Sequence, residues 1–166
     1  MANTYTAIAT VTVGSGGAAS MTFSSIPQTY TDLKIVASGR STAGSLDINV
    51  KLNNETTNFT RRVLYGDGTD DLSTAISDNA WLYSTGSTYT ASTFSNCEIY
   101  IPNYTSSNYK SISSDSAIEN NATTAYLILN AGLWSDTSAI TSIVLAQLSG
   151  NFVEHSTATL YGIKNS

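Results

Sequence analysis

Three aspartates stand close together in the segment Gly66-Asp-Gly-Thr-Asp-Asp71. Carboxylate oxygens are the ligands that hard cations such as Ca²⁺ prefer, and the glycines would let a short loop fold around an ion. The segment lacks the spacing and the terminal glutamate of an EF-hand loop. Because Asp-Gly is also a common hairpin turn, the sequence favours a turn and leaves cation binding by Asp67, Asp70 and Asp71 open.

The only histidine, His155, lies between Glu154 and Ser156. A hydroxyl, an imidazole and a carboxylate are the groups of a catalytic triad, in which each must reach the next. Neighbouring residues of an extended segment point to opposite faces. These three side chains are therefore poorly placed for nucleophilic catalysis, and we interpret His155 as a loop residue between two strands.

Paired carboxylates for sugar hydrolysis are the remaining catalytic option. Asp70 with Asp71 or Glu119 would have to face each other across a cleft, and nothing in the sequence predicts one. The chain has no Cys/His metal spacing, no Gly-x-Ser-x-Gly turn and no phosphate-binding loop, since Gly14-Ser-Gly-Gly17 leads into a strand pattern. We expect no enzymatic activity and no cofactor.

Aromatic residues offer binding chemistry instead. The chain has ten tyrosines and two tryptophans. Five tyrosines lie in a stretch rich in Ser, Thr and Asn, at Tyr83, Tyr89, Tyr100, Tyr104 and Tyr109. Their rings and the amide side chains around them suit a sugar or a partner protein. Tyrosine also favours strands without any ligand, and this simpler explanation carries more weight.

Charge and cysteine content limit the partners. Seven basic and twelve acidic residues give a net charge of −5, which repels nucleic acid unless basic residues cluster. The pair Arg61-Arg62 lies in an alternating segment that points them to opposite faces, and we interpret it as strand surface. Cys97 alternates with polar residues and is predicted to point into the core. No segment reads as a signal peptide or membrane span.

Short alternating segments dominate the chain and predict the elements that position these residues. Ser and Thr make up about 30% of it, which suits strands and turns rather than long helices. Nine or ten strands are predicted, including an N-terminal hairpin in which the turn at Gly14–Gly17 joins 4–13 to 20–23. The segment Asp70 to Asn79 is predicted to be a short helical turn or a long loop. The segments 4–13 and 157–163 are predicted to be neighbours in one sheet.

These patterns predict an all-β fold, an antiparallel β-sandwich of about 8–10 strands arranged as a jelly roll, in a single domain over residues 1–166. No internal repeat or coiled-coil heptad is present. The strand order is not determined by alternation.

Several blocks spread over nearly the whole chain carry a resemblance to a known family. They are Thr4-Tyr-Thr-Ala-Ile-Ala-Thr10 with Gly14-Ser-Gly-Gly17, Phe23-Ser-Ser-Ile-Pro-Gln-Thr-Tyr-Thr-Asp-Leu33, Ile101-Pro-Asn-Tyr104, Gly132-Leu-Trp134 with Ala139-Ile-Thr-Ser-Ile143, and Gly150-Asn-Phe152 with Ser156-Thr-Ala-Thr-Leu-Tyr-Gly-Ile163. Together they resemble small virion structural proteins of tailed bacteriophages.

The resemblance implies a capsid decoration, or cement, protein that binds the major capsid protein and stabilises its lattice. It further implies assembly in the bacterial cytoplasm, location on the virion and a homotrimer. From the charge and the lack of a long apolar segment, we expect no nucleic-acid or membrane partner. The alternative is a tail-associated receptor-binding or carbohydrate-binding module that uses the tyrosine-rich loops between Trp81 and Tyr109.

Overall fold

Strands make up the regular structure of the chain. A computed structural model describes residues 4–121 and 125–164. Twelve strands follow one another in these ranges: β1 (Tyr5–Thr12), β2 (Ser20–Phe23), β3 (Asp32–Ser38), β4 (Asp47–Leu52), β5 (Phe59–Gly66), β6 (Asp71–Ile76), β7 (Ala80–Tyr83), β8 (Asn96–Ile101), β9 (Lys110–Ile118), β10 (Tyr126–Trp134), β11 (Ile143–Gln147) and β12 (Thr157–Ile163). Within the same ranges, no helix has the length and apolar character needed to cross a membrane.

The strands form two sheets. The large sheet has eight strands in the order β1-β12-β3-β8-β9-β10-β5-β6, and the small sheet has four in the order β2-β11-β4-β7. Every pairing between neighbours is antiparallel. The predicted all-β antiparallel sandwich is confirmed, with twelve strands where alternation predicts nine or ten. The jelly-roll arrangement stays a prediction.

The two ends of the described chain pair with each other, as predicted. β1 lies beside β12, with Tyr5 opposite Ile163 and Thr12 opposite Thr157. The predicted N-terminal hairpin is wrong, because β2 pairs with β11 in the small sheet. The glycine turn at 14–17 carries the chain from one sheet to the other. Tight-turn residues permit either path, and only the neighbouring strands decide between them.

The segment between Asp70 and Asn79 is neither a helical turn nor a loop. It contains β6, which forms a hairpin with β5 around the turn at residues 67–70. Ser73, Thr74 and Ala75 mask its alternation, because they are small or polar on both faces. Strand β6 is one edge of the large sheet, so only one neighbour has to specify its register.

A bulge in β1 changes which face of the sheet its side chains point to. Ala7 pairs with Tyr161 and Ala9 with Leu160, which leaves Ile8 as an extra residue. Ile8 and Val11 consequently both pack against the core, although strict alternation would place them on opposite faces.

One cluster of apolar side chains fills the space between the sheets. Its largest fully buried members include Trp81, Trp134, Tyr104 and Phe152. Cys97 is fully buried in it, as predicted, with its thiol donating to the Tyr83 carbonyl oxygen at 2.9 Å.

Candidate functional site

The aspartate-rich segment forms a hairpin turn. The Asp67 carboxylate accepts hydrogen bonds from the backbone N–H groups of Thr69 and Asp70 at 2.9 and 2.8 Å. These bonds lower the pKa of Asp67, because they stabilise its ionised form. Its oxygen is therefore engaged in shaping the turn. Among the described residues, no group of three or more His, Cys, Asp or Glu side chains is arranged to hold a metal ion.

The residues around His155 are separated by burial. Glu154 and His155 are exposed, whereas Ser156 is fully buried. The Ser156 hydroxyl accepts a hydrogen bond from the backbone N–H of Arg40 at 3.2 Å. His155 has a φ of +73°, and its own N–H donates to the Val13 carbonyl oxygen. This segment shapes a loop and does not assemble the three side chains.

The surface around Glu119 does not bring together the carboxylates considered for sugar hydrolysis. Glu119 follows β9 and accepts a hydrogen bond from the backbone N–H of Asn121 at 2.7 Å. It shares a shallow surface depression with Asp67, and neither Asp70 nor Asp71 lines that depression.

The five tyrosines of the middle segment have different environments. Tyr104 is fully buried and donates a hydrogen bond to the Pro27 carbonyl oxygen. Tyr100 donates to Asp32 at 2.6 Å, and this bond, aided by burial, raises the pKa of Tyr100 to about 12. Tyr109 is exposed. Of the five, Tyr83 lines a cleft that is described below, and Tyr89 hydrogen-bonds Tyr126, which lines the same cleft.

Strand β7, the edge of the small sheet, rests against β9 of the large sheet through two serines. The Ser114 hydroxyl donates to the Trp81 carbonyl oxygen at 2.5 Å, and the Tyr83 N–H donates to the Ser116 hydroxyl at 3.1 Å. Both serines are buried. Their small side chains let the two backbones approach, and their hydroxyls satisfy polar groups of an edge strand that would otherwise lack partners.

Trp81 projects from β7 over the inner face of the large sheet. A methyl group at Gly132 would lie 2.8 Å from Cε2 of Trp81, so the indole ring occupies the space that a side chain would need. Phe59 packs edge-on against Trp81 at 5.2 Å between ring centroids and stacks on Trp134 at 6.2 Å. These three rings belong to the apolar core between the sheets.

Arg61 is the one buried arginine, and its environment corrects the interpretation of the Arg61-Arg62 pair. Arg62 is exposed as expected of strand surface, but Arg61 is only 4% exposed. Its guanidinium donates to both Asp78 oxygens at 2.6 and 3.2 Å. It also donates to the Tyr83 hydroxyl at 2.7 Å and to Asn130 at 3.2 Å. Burial opposes its charge, but the hydrogen bonds to Asp78 and Tyr83 outweigh this effect and raise the pKa of Arg61.

Beside Arg61, three tyrosines line a cleft of about 270 Å³ between the edge of the small sheet and the inner face of the large sheet. We call it the tyrosine cleft; its lining residues are Ser45, Leu46, Asp47, Tyr65, Tyr83, Tyr126 and Ile128. Tyr65 and Tyr126 meet edge to face, with centroids 6.2 Å apart and an interplanar angle of 68°. The cleft is thus mainly aromatic and apolar, with a single carboxylate.

That carboxylate, Asp47, is half-buried. Burial raises the pKa of Asp47, and the nearby Asp78 charge adds to this effect, while Arg61 and Tyr83 oppose it. Arg61 compensates the Asp47 charge incompletely, because its charge lowers the pKa of Asp47 by less than burial raises it.

Tyr89 approaches the cleft from the loop between β7 and β8, and Arg40 holds that loop. The Arg40 guanidinium donates to the carbonyl oxygens of Tyr89, Thr90 and Thr93 at 3.0, 2.9 and 3.1 Å. Burial together with a hydrogen bond to Tyr126 raises the pKa of Tyr89 to about 12. The hydrogen bond between Tyr89 and Tyr126 therefore links the loop to β10.

The opposite face of the large sheet carries a different feature, which we call the leucine face. It consists of Leu64, Leu127 and Leu129, which are 51%, 59% and 47% exposed. Leu64 and Leu129 are directly opposite each other on β5 and β10, and Leu127 is two residues away on the same face. Arg62 and Asp115 flank it on the adjoining register positions.

Comparisons with known proteins give no match: no protein-family model, no curated protein and no solved structure is similar to this chain. The resemblance to phage virion proteins therefore stays a prediction from the sequence blocks.

Sequence reasoning missed most of these residues. Tyr65, Tyr126 and Asp47 lie far apart in the chain and give no local motif. The leucine face had a visible signal, because β10 is apolar on both faces in the segment Tyr-Leu-Ile-Leu. A strand covered on only one face alternates between apolar and polar residues, so this segment indicated an outward apolar surface.

Proposed function

We propose that this chain is a non-enzymatic virion structural protein of a tailed bacteriophage, and that it is a capsid decoration protein. In this proposal it binds the major capsid protein through the leucine face and stabilises the lattice. The single observation that supports docking is the group of three half-exposed leucines on one sheet face. A contiguous apolar patch with a polar rim is typical of a protein interface.

The size of the leucine face suits a contact that is repeated many times. Complete burial of a leucine contributes about 1.5–3 kcal/mol, so covering the exposed half of each contributes about 1 kcal/mol. Three leucines then contribute about 3 kcal/mol, which corresponds to binding weaker than about 1 mM for one isolated contact. Many copies on a symmetric shell multiply such contacts, and a homotrimer would present three leucine faces together.

Adding the purified protein to capsid shells that lack it tests the proposal. We expect saturable binding and a higher temperature of shell disruption, measured by light scattering. Leu129→Glu should abolish both effects, because it places a charge in the buried contact. Leu148→Glu is the matched control, since Leu148 is 57% exposed but lies after β11 in the small sheet; it should bind like the wild type.

Cryo-electron microscopy of intact particles provides the second readout. Regular density on the capsid is the expected result. Density confined to the tail, or shells whose stability the protein does not change, would overturn the decoration role and favour the alternative of a tail-associated receptor-binding module.

A further inference from the structure

The tyrosine cleft has the size of a binding site for one small group. Its volume of about 270 Å³ is near the lower end of small-molecule sites, about 300 Å³. Tyr65 and Tyr126 come from neighbouring strands of the large sheet, whereas Asp47 and Tyr83 are paired residues of the small sheet. The side chains that line the cleft are therefore positioned by the sandwich itself.

The charges beside the cleft favour a cation. Two carboxylates, Asp47 and Asp78, accompany one guanidinium, Arg61, and that guanidinium is in a bidentate ion pair with Asp78. The half-buried Asp47 is left with an incompletely compensated negative charge. A positive ligand would supply the missing compensation, and an anionic ligand would be repelled.

The aromatic lining favours a cation with an apolar surface. Tyrosine rings attract positive charge over their faces, and this attraction is strongest when the cation sheds its water easily. Arg61, beside the cleft, already lies over the Tyr83 ring, with 5.9 Å between its guanidinium carbon and the ring centroid, so one tyrosine of the lining already contacts a cation. A primary ammonium is strongly hydrated, whereas methyl groups on the nitrogen suit the apolar contributions of Leu46 and Ile128.

We propose that the tyrosine cleft binds a quaternary or methylated ammonium group, with Tyr65, Tyr83 and Tyr126 around the cation and Asp47 as its counter-ion. The proposal goes beyond docking through the leucine face and does not depend on it, because Tyr126 faces the small sheet while Leu127 and Leu129 face outward. A methylated ammonium can be presented by a small choline-type molecule or by a trimethyllysine side chain.

Calorimetric and NMR titrations of the full chain with choline test the proposal. We expect saturable binding at neutral pH, with shifts of the Tyr65 and Tyr126 ring resonances. The neutral isostere 3,3-dimethyl-1-butanol should bind at least about tenfold more weakly, since it has the same shape without the charge. Equal affinity for the two, or tighter binding of a neutral monosaccharide, would overturn the proposal.

Single substitutions separate the contribution of the Asp47 charge from that of the tyrosine rings. Asp47→Asn should weaken choline binding several-fold and leave the neutral isostere unaffected. Tyr126→Leu should abolish choline binding, whereas Tyr126→Phe should retain it because the ring remains. Tyr109→Leu is the matched control, since Tyr109 is 60% exposed and lies outside the cleft. Loss of binding in Tyr109→Leu, or full binding in Tyr126→Leu with unchanged thermal stability, would contradict the assignment.

A peptide with one trimethyllysine distinguishes the two sources of the cation. Tighter binding of the peptide than of choline would identify a protein tail as the ligand, and the reverse order would identify a small molecule. Both results support the same chemistry. Failure of the peptide and of choline together would refute it, and the shell-binding assay would still report on the leucine face.

Discussion

At the scale of single residues, Asp47 is held in an environment that works against its charge. Burial raises its pKa above the ordinary value of 3.8. The folded state therefore binds a proton more readily than the unfolded state, and the associated stability is present below about pH 3.8 and lost as the pH rises through the folded-state pKa. Near neutral pH the ionised carboxylate is a cost to folding, as expected of a group retained for binding.

We predict that Asp47→Asn raises the free energy of unfolding at pH 7 and that this gain shrinks toward zero below about pH 3.8. Urea unfolding at the two pH values measures it. Asp67→Asn provides a contrast of opposite sign, because hydrogen bonds from the backbone lower the pKa of Asp67. The stability that Asp67 adds is present above about pH 3.8 and lost as the pH falls through its folded-state pKa. Equal pH dependence in both variants would contradict this account.

Gly132 is a second position at which one side-chain atom is expected to change the stability of the fold. An added methyl group would meet the buried ring of Trp81 at 2.8 Å, and overpacking of this kind costs about 1–3 kcal/mol. We expect Gly132→Ala to lower the free energy of unfolding by that amount in urea titrations. Gly14→Ala is the control, since no atom lies within 4 Å of the new methyl group; a loss as large as that of Gly132→Ala would show that space is not the cause.

At the scale of elements, alternation identified most of the strands but few of their partners. It placed the segments 4–13 and 157–163 in one sheet correctly, because both are Thr-rich with one inward face. It paired β1 with β2 wrongly, because the glycines at 14–17 suit a hairpin and a change of sheet equally. The tyrosine cleft could not be predicted from the sequence, because it depends on the contact of β7 with β9, and no local sequence pattern encodes that contact.

The contact between β7 and β9 can be tested directly by substitutions on β9. Ser116→Val removes the acceptor of the Tyr83 N–H and adds volume where β7 approaches β9. We expect a loss of about 1–3 kcal/mol in the free energy of unfolding, because a buried N–H is left without a partner. Ser113→Val on the same strand faces outward and is exposed, so calorimetry should find its stability within about 0.5 kcal/mol of the wild type.

At the scale of the whole molecule, each face of the large sheet carries one of the two proposed binding surfaces. The inner face contributes to the tyrosine cleft, and the outer face carries the leucines. If the leucine face binds the capsid as we propose, the proposed homotrimer must use another surface, such as an edge of the sandwich.

We predict that sedimentation velocity finds a homotrimer for the wild type and also for Leu129→Glu. The substitution should change shell binding without changing the oligomeric state, because the proposed trimer uses a surface other than the leucine face. A variant that sediments as a monomer beside a trimeric wild type would assign the leucine face to the trimer, and a monomeric wild type would refute the oligomer.

The order of strands also bears on how the chain is made. β12 lies between β1 and β3 in the large sheet, and β11 lies between β2 and β4 in the small sheet. Both sheets therefore stay divided until residues 143–163 have left the ribosome. Until then the earlier strands expose unpaired edges, which can pair with other chains and cause aggregation. Removing β12 alone would create two further open edges in the large sheet, one on β1 and one on β3. Strands β11 and β12 therefore complete both sheets, and a nascent chain arrested before Ile143 should depend on chaperones to remain unaggregated.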